Sequence, residues 1–338
     1  MEFETVMRTA ALAGIALFSL LLVGRGAWAW RGRGARAGAK PVFLRLSMWL
    51  RAGALLLCAL GLLQFLFVLQ RGTMFMPAHL QALLALALVG YFAVEITISL
   101  RGPGAVRRWL WWSGTVVALA AGALGLLLVQ AAWRAFDYPP VADSVVLDRV
   151  PFAGEWAAAG AGASGATNHH DRIPSQKYAA DLAAVCDDGR LFREDGARQE
   201  DSCTFGTPVL APVDGEVVVA VDGHADGASR RVLPGNHVVI RIDEGRYVAL
   251  AHFRQGSVQV AAGDRVRAGQ VIAEAGNSGN SDFAHLHIHV QDTAEYDIRT
   301  SRALPWRLAA MERKRYLWWS RVEDGFLLSN DRVRPARE

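Results

Sequence analysis

Cysteine is scarce in this chain: three among 338 residues, at positions 58, 186 and 203. Cys58 lies in an apolar run and reads as inert packing. Cys186 and Cys203 bracket a polar, acid-rich stretch, Asp187 to Ser202, that interrupts a β pattern. Thiolate metal sites use tighter spacing, so the pair reads as a disulfide that staples a loop in an oxidising compartment, with two free thiols as the alternative. A basic stripe with interleaved aromatics is missing, and the net charge is only +4. No nucleic-acid partner is therefore expected. Acids are nearly missing from the first 134 residues, where only Glu2, Glu4 and Glu95 occur. That absence divides the chain. Residues 1–134 are dominated by Leu, Ala, Gly, Val and Trp, and residues 135–338 read as an ordinary soluble domain.

Four apolar stretches lie between Arg8 and Arg25, Arg51 and Arg71, Met76 and Arg101, and Arg108 and Arg134. A spanning helix needs about 20 apolar residues. The first stretch is short, but its flanking arginines can snorkel. Glu95 lies near the end of the third stretch and reads as an interfacial acid rather than a functional intramembrane one. Ala27-Trp28-Ala29 resembles a signal-peptide cleavage site, but Glu2 and Glu4 in the leading segment and Arg25 oppose that reading. Connection one carries Arg25, Arg31, Arg33, Arg36, Lys40 and Arg45, and connection three carries Arg101, Arg107 and Arg108. Connection two carries Arg71 alone. The expectation is a multi-pass inner (cytoplasmic) membrane protein with four transmembrane helices in residues 1–134. Its C-terminal domain then lies on the periplasmic or extracellular side. The lipid bilayer is one partner, and a membrane protein partner of the four-helix region is left open.

Residues 135–165 read as a tether with an early strand, because Pro139-Pro140 and the small-residue run from Ala157 to Gly162 suit a flexible link. From Pro208 on the pattern is β. A run over 209–220 is broken by an Asp214-Gly215 turn, and further strands are expected at 236–242, 247–252, 270–275 and 284–291. Short strands with regular turn signals predict an antiparallel sheet, sandwich or barrel. Residues 293–338 read as a C-terminal extension with one helix, over about Pro305–Trp318.

His285, His287 and His289 alternate between Ala284 and Val290. Alternate side chains of a strand share a face, so three imidazoles can project together while Leu286, Ile288 and Val290 turn to a core. Imidazole is both the commonest metal ligand and a frequent general base. Upstream stand His169-His170, Asp181 and His252, in segments of their own. His79, His224 and His237 are given no direct role.

The ordered fragments are His169-His170 with Asp181, Gly206-Thr207-Pro208-Val209, Ala211-Pro212, Asp214-Gly215, Ala251-His252-Phe253, the run Gly263 to Ile272, Gly276-Asn277-Ser278-Gly279, and His285-Leu286-His287. Together they closely resemble the lysostaphin-type zinc metallopeptidases, which cut peptidoglycan peptides. The resemblance implies a metallopeptidase domain over 166–292, folded as an antiparallel β-sheet or half-barrel of the duplicated hybrid-motif type. It implies one Zn2+ per chain, held by His170, Asp181 and His287, with His169 as the alternative to His170. His252 and His285 are implied as the catalytic pair that flanks the reacting water. His289 stands where relatives are often acidic; it reads as a neighbour that hydrogen-bonds a ligand, an alternative ligand, or an ordinary polar residue. The 11-residue gap from His170 to Asp181 is longer than the usual one.

The implied function is a membrane-anchored zinc metalloendopeptidase that hydrolyses peptide bonds of peptidoglycan. The alternative is a non-catalytic peptidoglycan-binding or regulatory protein with the same fold. A phosphohistidine or lipoyl-type carrier is a third reading, suggested by the 263–272 run, but no Lys occupies its expected turn.

Overall fold

The computed structural model describes residues 42–69, 78–101, 108–193, 198–227, 233–297 and 299–337. The first apolar stretch, Arg8 to Arg25, lies outside them. The chain divides into two compact units, one formed up to Leu63 and by Leu84–Val129, the other by Gln64–Leu83 and from Gln130 on.

Three helices are described: α1 (Val42–Gln64, continued as a π-turn over Phe65–Leu69), α2 (Ala78–Arg101) and α3 (Arg108–Ala135). Each contains a segment long and apolar enough to cross a membrane. The helix α1 begins at Val42, so Arg51 lies within it rather than at its start. There its guanidinium sits 4.9 Å from the centre of the Trp111 ring, which offers a cation a favourable aromatic face. Helices α1 and α3 approach where side chains are smallest. A Cβ built on Gly122 would lie 2.7 Å from the Ala54 Cα, so the backbones meet at a distance only glycine permits. Trp111 Nε1 donates to Ser47 Oγ at 3.0 Å across the same pair.

The second unit is built on β1 (Val145–Leu147), β2 (Trp156–Gly160), β3 (Ala180–Ala184), β4 (Pro208–Leu210), β5 (Gly215–Val221), β6 (Asn236–Asp243) and β7 (Arg246–Phe253). These are followed by β8 (Arg265–Val266), β9 (Val271–Glu274), β10 (Leu286–Gln291), β11 (Ala303–Leu304), β12 (Trp306–Lys314), β13 (Ser320–Gly325) and β14 (Arg332–Pro335). One large sheet runs in the order β1-β12-β14-β2-β3-β10-β7-β6-β5-β8, with β11 on β10 and β13 on β12; β4 and β9 form a separate pair. The large sheet is mixed rather than purely antiparallel, because β1 joins β12 in parallel. The core lies on one face, where Leu182, Ile240, Val248, Leu250, Leu286, Ile288 and Val290 pack with Trp156 and Met311.

Two further expectations are corrected. The helix expected at Pro305–Trp318 is the strand β12. Its Leu, Ala, Met, Glu and Arg residues favour helix locally, but β1, β13 and β14 all pair with it, and Trp306, Leu308 and Met311 are buried in the core. The small-residue run at Ala157–Gly160 is not a flexible link. It belongs to β2, and Ala157 packs with Ala183 and Leu191 on the face opposite the main core. Small side chains there permit close approach rather than freedom. Cys186 and Cys203 are joined by a disulfide that closes the loop after β3, with their Cα atoms 5.6 Å apart.

Candidate functional site

Strands β3, β10 and β7 lie side by side, and the ladder pairs His287 with Asp181 on one side and with Ala251 on the other. Paired residues share a face, so Asp181 and His287 rise together while Leu182, Leu286 and Ile288 enter the core. Ala251 is the small residue of this row.

Asp181 is 5% exposed and is approached by four imidazoles. His287 Nδ1 lies 2.9 Å from its Oδ1, and His285 Nε2 lies 3.5 Å from the same oxygen. His170 Nε2 and His169 Nε2 lie 3.0 and 3.3 Å from Oδ2. Among the described residues no lysine or arginine pairs with it. The ligand atoms of His169, His170 and Asp181 all fall within 4.8 Å of one another. His170 is buried, whereas the side chain of His169 is 45% exposed.

The long gap between His170 and Asp181 is closed by Asn168. Its Oδ1 accepts from the His170 backbone N–H at 3.0 Å, and its Nδ2 donates to the carbonyls of Gly162 and Ala179 at 2.7 and 3.0 Å. The side chain thus ties the turn that holds both histidines to the start of β3. Sequence reasoning gave Asn168 no role of its own.

His252 reaches the site against strand alternation. Val248 and Leu250 face the core, so position 252 would do so too in a regular strand. Instead the register slips by one between Asn236–Phe253 and His237–Ala251, leaving His252 as the extra residue of a bulge at φ 67°. The bulge turns Phe253 into the core and re-aims His252, whose ring lies 4.8 Å from that of His285 and 5.8 Å from that of His287. A left-handed backbone is costly for histidine, and its neighbours hold it. The His252 N–H donates to Pro234 O, and Ser278 Oγ and Asn236 Nδ2 both donate to Phe253 O.

Backbone carbonyls also set the proton positions. His252 Nδ1 lies 2.8 Å from Ser278 O, and His285 Nδ1 lies 2.8 Å from Phe283 O. Each Nδ1 must therefore carry a proton, so that in the neutral ring each Nε2 is a lone pair directed to the site. His285 is not in β10 itself; it precedes the strand and bridges to Gly276. His289 does share the face of His287, with its Nδ1 3.0 Å from His287 Nε2. Tyr296, which sequence reasoning passed over, covers this end. Its ring is 5.1 Å from that of His289, and its hydroxyl accepts from Gln176 at 3.0 Å. His237 also stands on this face, 5.5 Å from the Tyr296 ring.

Burial and charge compete in the site. Burial would raise the Asp181 pKa, but the imidazoles of His170 and His285 hold it well below the usual carboxylate range. Burial, with His285 and His287 nearby, pushes His252 well below the ordinary histidine value. Burial likewise takes His287 down to about 3 and His289 down to about 4. Burial lowers His285 too, but the Asp181 carboxylate more than reverses it, and the net shift is upward.

Residues 201–297 match the model of Peptidase family M23. The resemblance to lysostaphin-type metallopeptidases is thereby shown for this region. The matched span includes His252, His285, His287 and His289; His169, His170 and Asp181 precede it, and their placement comes from the geometry above. An uncharacterized metalloprotease of Haemophilus influenzae is 35% identical over 121 residues, covering 34% of this chain and 23% of that protein. The chain therefore spans under a quarter of the length of this curated relative. Among solved structures, a zinc-containing peptidase from Vibrio cholerae is 20% identical with a TM-score of 0.29, covering 44% of this chain and 37% of that one. The catalytic domain of the antimicrobial peptidase lysostaphin from Staphylococcus simulans is 29% identical with a TM-score of 0.24, covering 29% and 68%.

Proposed function

We propose that this protein is a membrane-anchored zinc metalloendopeptidase that cuts peptide bonds in peptidoglycan, with its catalytic domain on the periplasmic or extracellular side. One observation carries the reading: a buried carboxylate, Asp181, faces the nitrogens of four imidazoles and no arginine or lysine among the described residues. An anion buried in this way calls for a cation. The donor set fits zinc, which takes His and Asp together and keeps one position open in catalytic sites. His170 Nδ1 is buried without a hydrogen-bond partner among the described residues.

In this reading His170, Asp181 and His287 hold one zinc ion, and His169 stands at the exposed margin. Zinc, when bound, supplies Lewis acidity that polarises the scissile carbonyl and acidifies water. His252 and His285 present Nε2 lone pairs fixed by their Nδ1 hydrogen bonds. One of these imidazoles takes the proton of the attacking water and returns it to the leaving amine, and its neighbour, once protonated, donates to the developing oxyanion. Membrane anchoring is supported by the three apolar helices, and the orientation by the Lys and Arg of connections one and three against Arg71 alone.

The test is to incubate the purified full-length protein with peptidoglycan, with and without chelator, and to identify fragments by mass. New peptide termini that vanish with chelator and return with zinc are expected. Intact peptidoglycan under all conditions, with peptidoglycan retained by the protein, would favour a binding module instead.

A further inference from the structure

We propose that His289 and Gln291 are positioning residues that fix the tautomer of His287, so that its Nδ1 enters the site as a lone pair. The proposal deepens the reading of this site as a metal centre and rests on it. Every hydrogen-bond direction follows from Gln291. Its Nε2 donates to Thr293 O and Glu295 O, both at 2.8 Å. Both partners are carbonyls, so the amide cannot be turned round, and Oε1 must accept. His289 Nε2, 2.8 Å from that oxygen, therefore brings the proton. His289 is fully buried and pairs with no carboxylate among the described residues, which keeps its ring neutral. Its Nδ1 is then an acceptor, and His287 Nε2, 3.0 Å away, must donate. With its single ring proton committed to Nε2, a neutral His287 offers a bare Nδ1, 2.9 Å from Asp181 Oδ1. Two acceptors at that distance repel unless a metal ion lies against both or, in its absence, a proton lies between them.

The strand explains why two side chains are used. His252 and His285 are fixed directly by backbone carbonyls of irregular segments. His287 lies in β10 between β3 and β7, where backbone groups are committed to the ladders on either side. The fixed carbonyls must come from elsewhere. The Thr293–Glu295 turn provides them, and His289 and Gln291, on the same face at two-residue steps, carry the constraint back to His287.

The test uses the full-length protein in detergent with three variants: His289→Leu, Gln291→Met and His289→Glu. In metal-free wild type labelled with nitrogen-15 histidine, NMR should find His287 protonated at Nε2. His289→Leu and Gln291→Met should mix the two tautomers and weaken zinc binding, read by chelator competition, by about 10- to 100-fold, as loss of an outer hydrogen-bond partner typically does. His289→Glu restores an acceptor for His287 and should return the affinity to within a few-fold of wild type. Equal weakening in His289→Leu and His289→Glu would assign the effect to packing and overturn the proposal. So would wild-type zinc affinity in both loss variants, or a wild-type His287 with no proton on Nε2. A wild type that binds no zinc, yet shows the tautomer change in Gln291→Met, would refute the metal reading and leave the relay standing. Should His289→Leu fail to fold, Gln291→Met and the tautomer measurement decide the matter.

Discussion

The two sides of the site are built by opposite means. On β3 and β10 the alternation is unbroken. Asp181, His287, His289 and Gln291 stand on one face, and Leu182, Leu286, Ile288 and Val290 fill the core from the other. On β7 the alternation is broken at His252, which owes its direction to a bulge and a left-handed backbone. His285 likewise stands just outside its strand. Groups that must keep fixed mutual spacing sit on a rigid ladder. Groups that must aim a nitrogen into the space above that ladder sit on bent backbone, pinned by Ser278, Asn236 and Phe283. Under the proposed reading this is a division of labour. The regular side supplies two of the three metal ligands, Asp181 and His287, with His170 added from the turn after Asn168, while both imidazoles that move protons stand on the irregular side.

The largest expected effect comes from the regular side. Asp181→Ala removes the anion that the four imidazoles share, and both bound zinc and turnover should fall to background. Metal analysis beside a peptide-release assay measures this; stoichiometric zinc in the variant would break the division. His252→Ala, on the irregular side, should keep zinc at one per chain while turnover drops about 100- to 1,000-fold, the range for one lost proton-transfer or oxyanion partner. If zinc left with His252, the two sides would be one functional unit and the contrast only geometric. A third change sharpens the comparison from beneath. Leu286 is fully buried on the core face of β10, directly before His287. Leu286→Ala should cost about 2–5 kcal/mol of stability by denaturant unfolding, because the cavity cannot collapse within a central strand. Zinc affinity of the folded fraction should change little, since the site side chains stay on the opposite face.

The regular side is also the part that sequence made legible. The alternation of His285, His287 and His289 placed imidazoles opposite Leu286, Ile288 and Val290, and β10 has that arrangement for all but His285. The strands expected near 236–242, 247–252 and 270–275 lie within a residue or two of β6, β7 and β9. What escaped was set by tertiary context. The helix-favouring run at 306–314 became a strand because three neighbours pair with it. The bulge at His252 leaves no signature in Ala251-His252-Phe253 itself, since its cause lies in Asn236 and Ser278, far along the chain. Gln291 and Tyr296 carry no motif, and only their placement beside His289 marks them.

The smallest expected effect discriminates between adjacent histidines. Gly160 lies on β2 where its register against β3 slips beside Asp181. A Cβ built there would lie 2.8 Å from His169 Nδ1 and 3.0 Å from its Cε1, but 3.7 Å from Asp181 Oδ2. Gly160→Ala therefore displaces the His169 ring and leaves the carboxylate in ordinary contact. The backbone at Gly160 is not left-handed, so alanine is tolerated there. The exposed His169 side chain can rotate aside, and the fold should lose under about 1 kcal/mol. If His170 is the ligand, zinc affinity should stay within about threefold of wild type; if His169 is, it should fall by about tenfold or more, the scale of a disturbed metal ligand environment. A zinc titration of Gly160→Ala beside His169→Ala reads the difference. A strong loss in both variants would move the first ligand from the buried histidine to the exposed one. In either case the turn after Asn168, and not the ladder alone, helps to hold the metal.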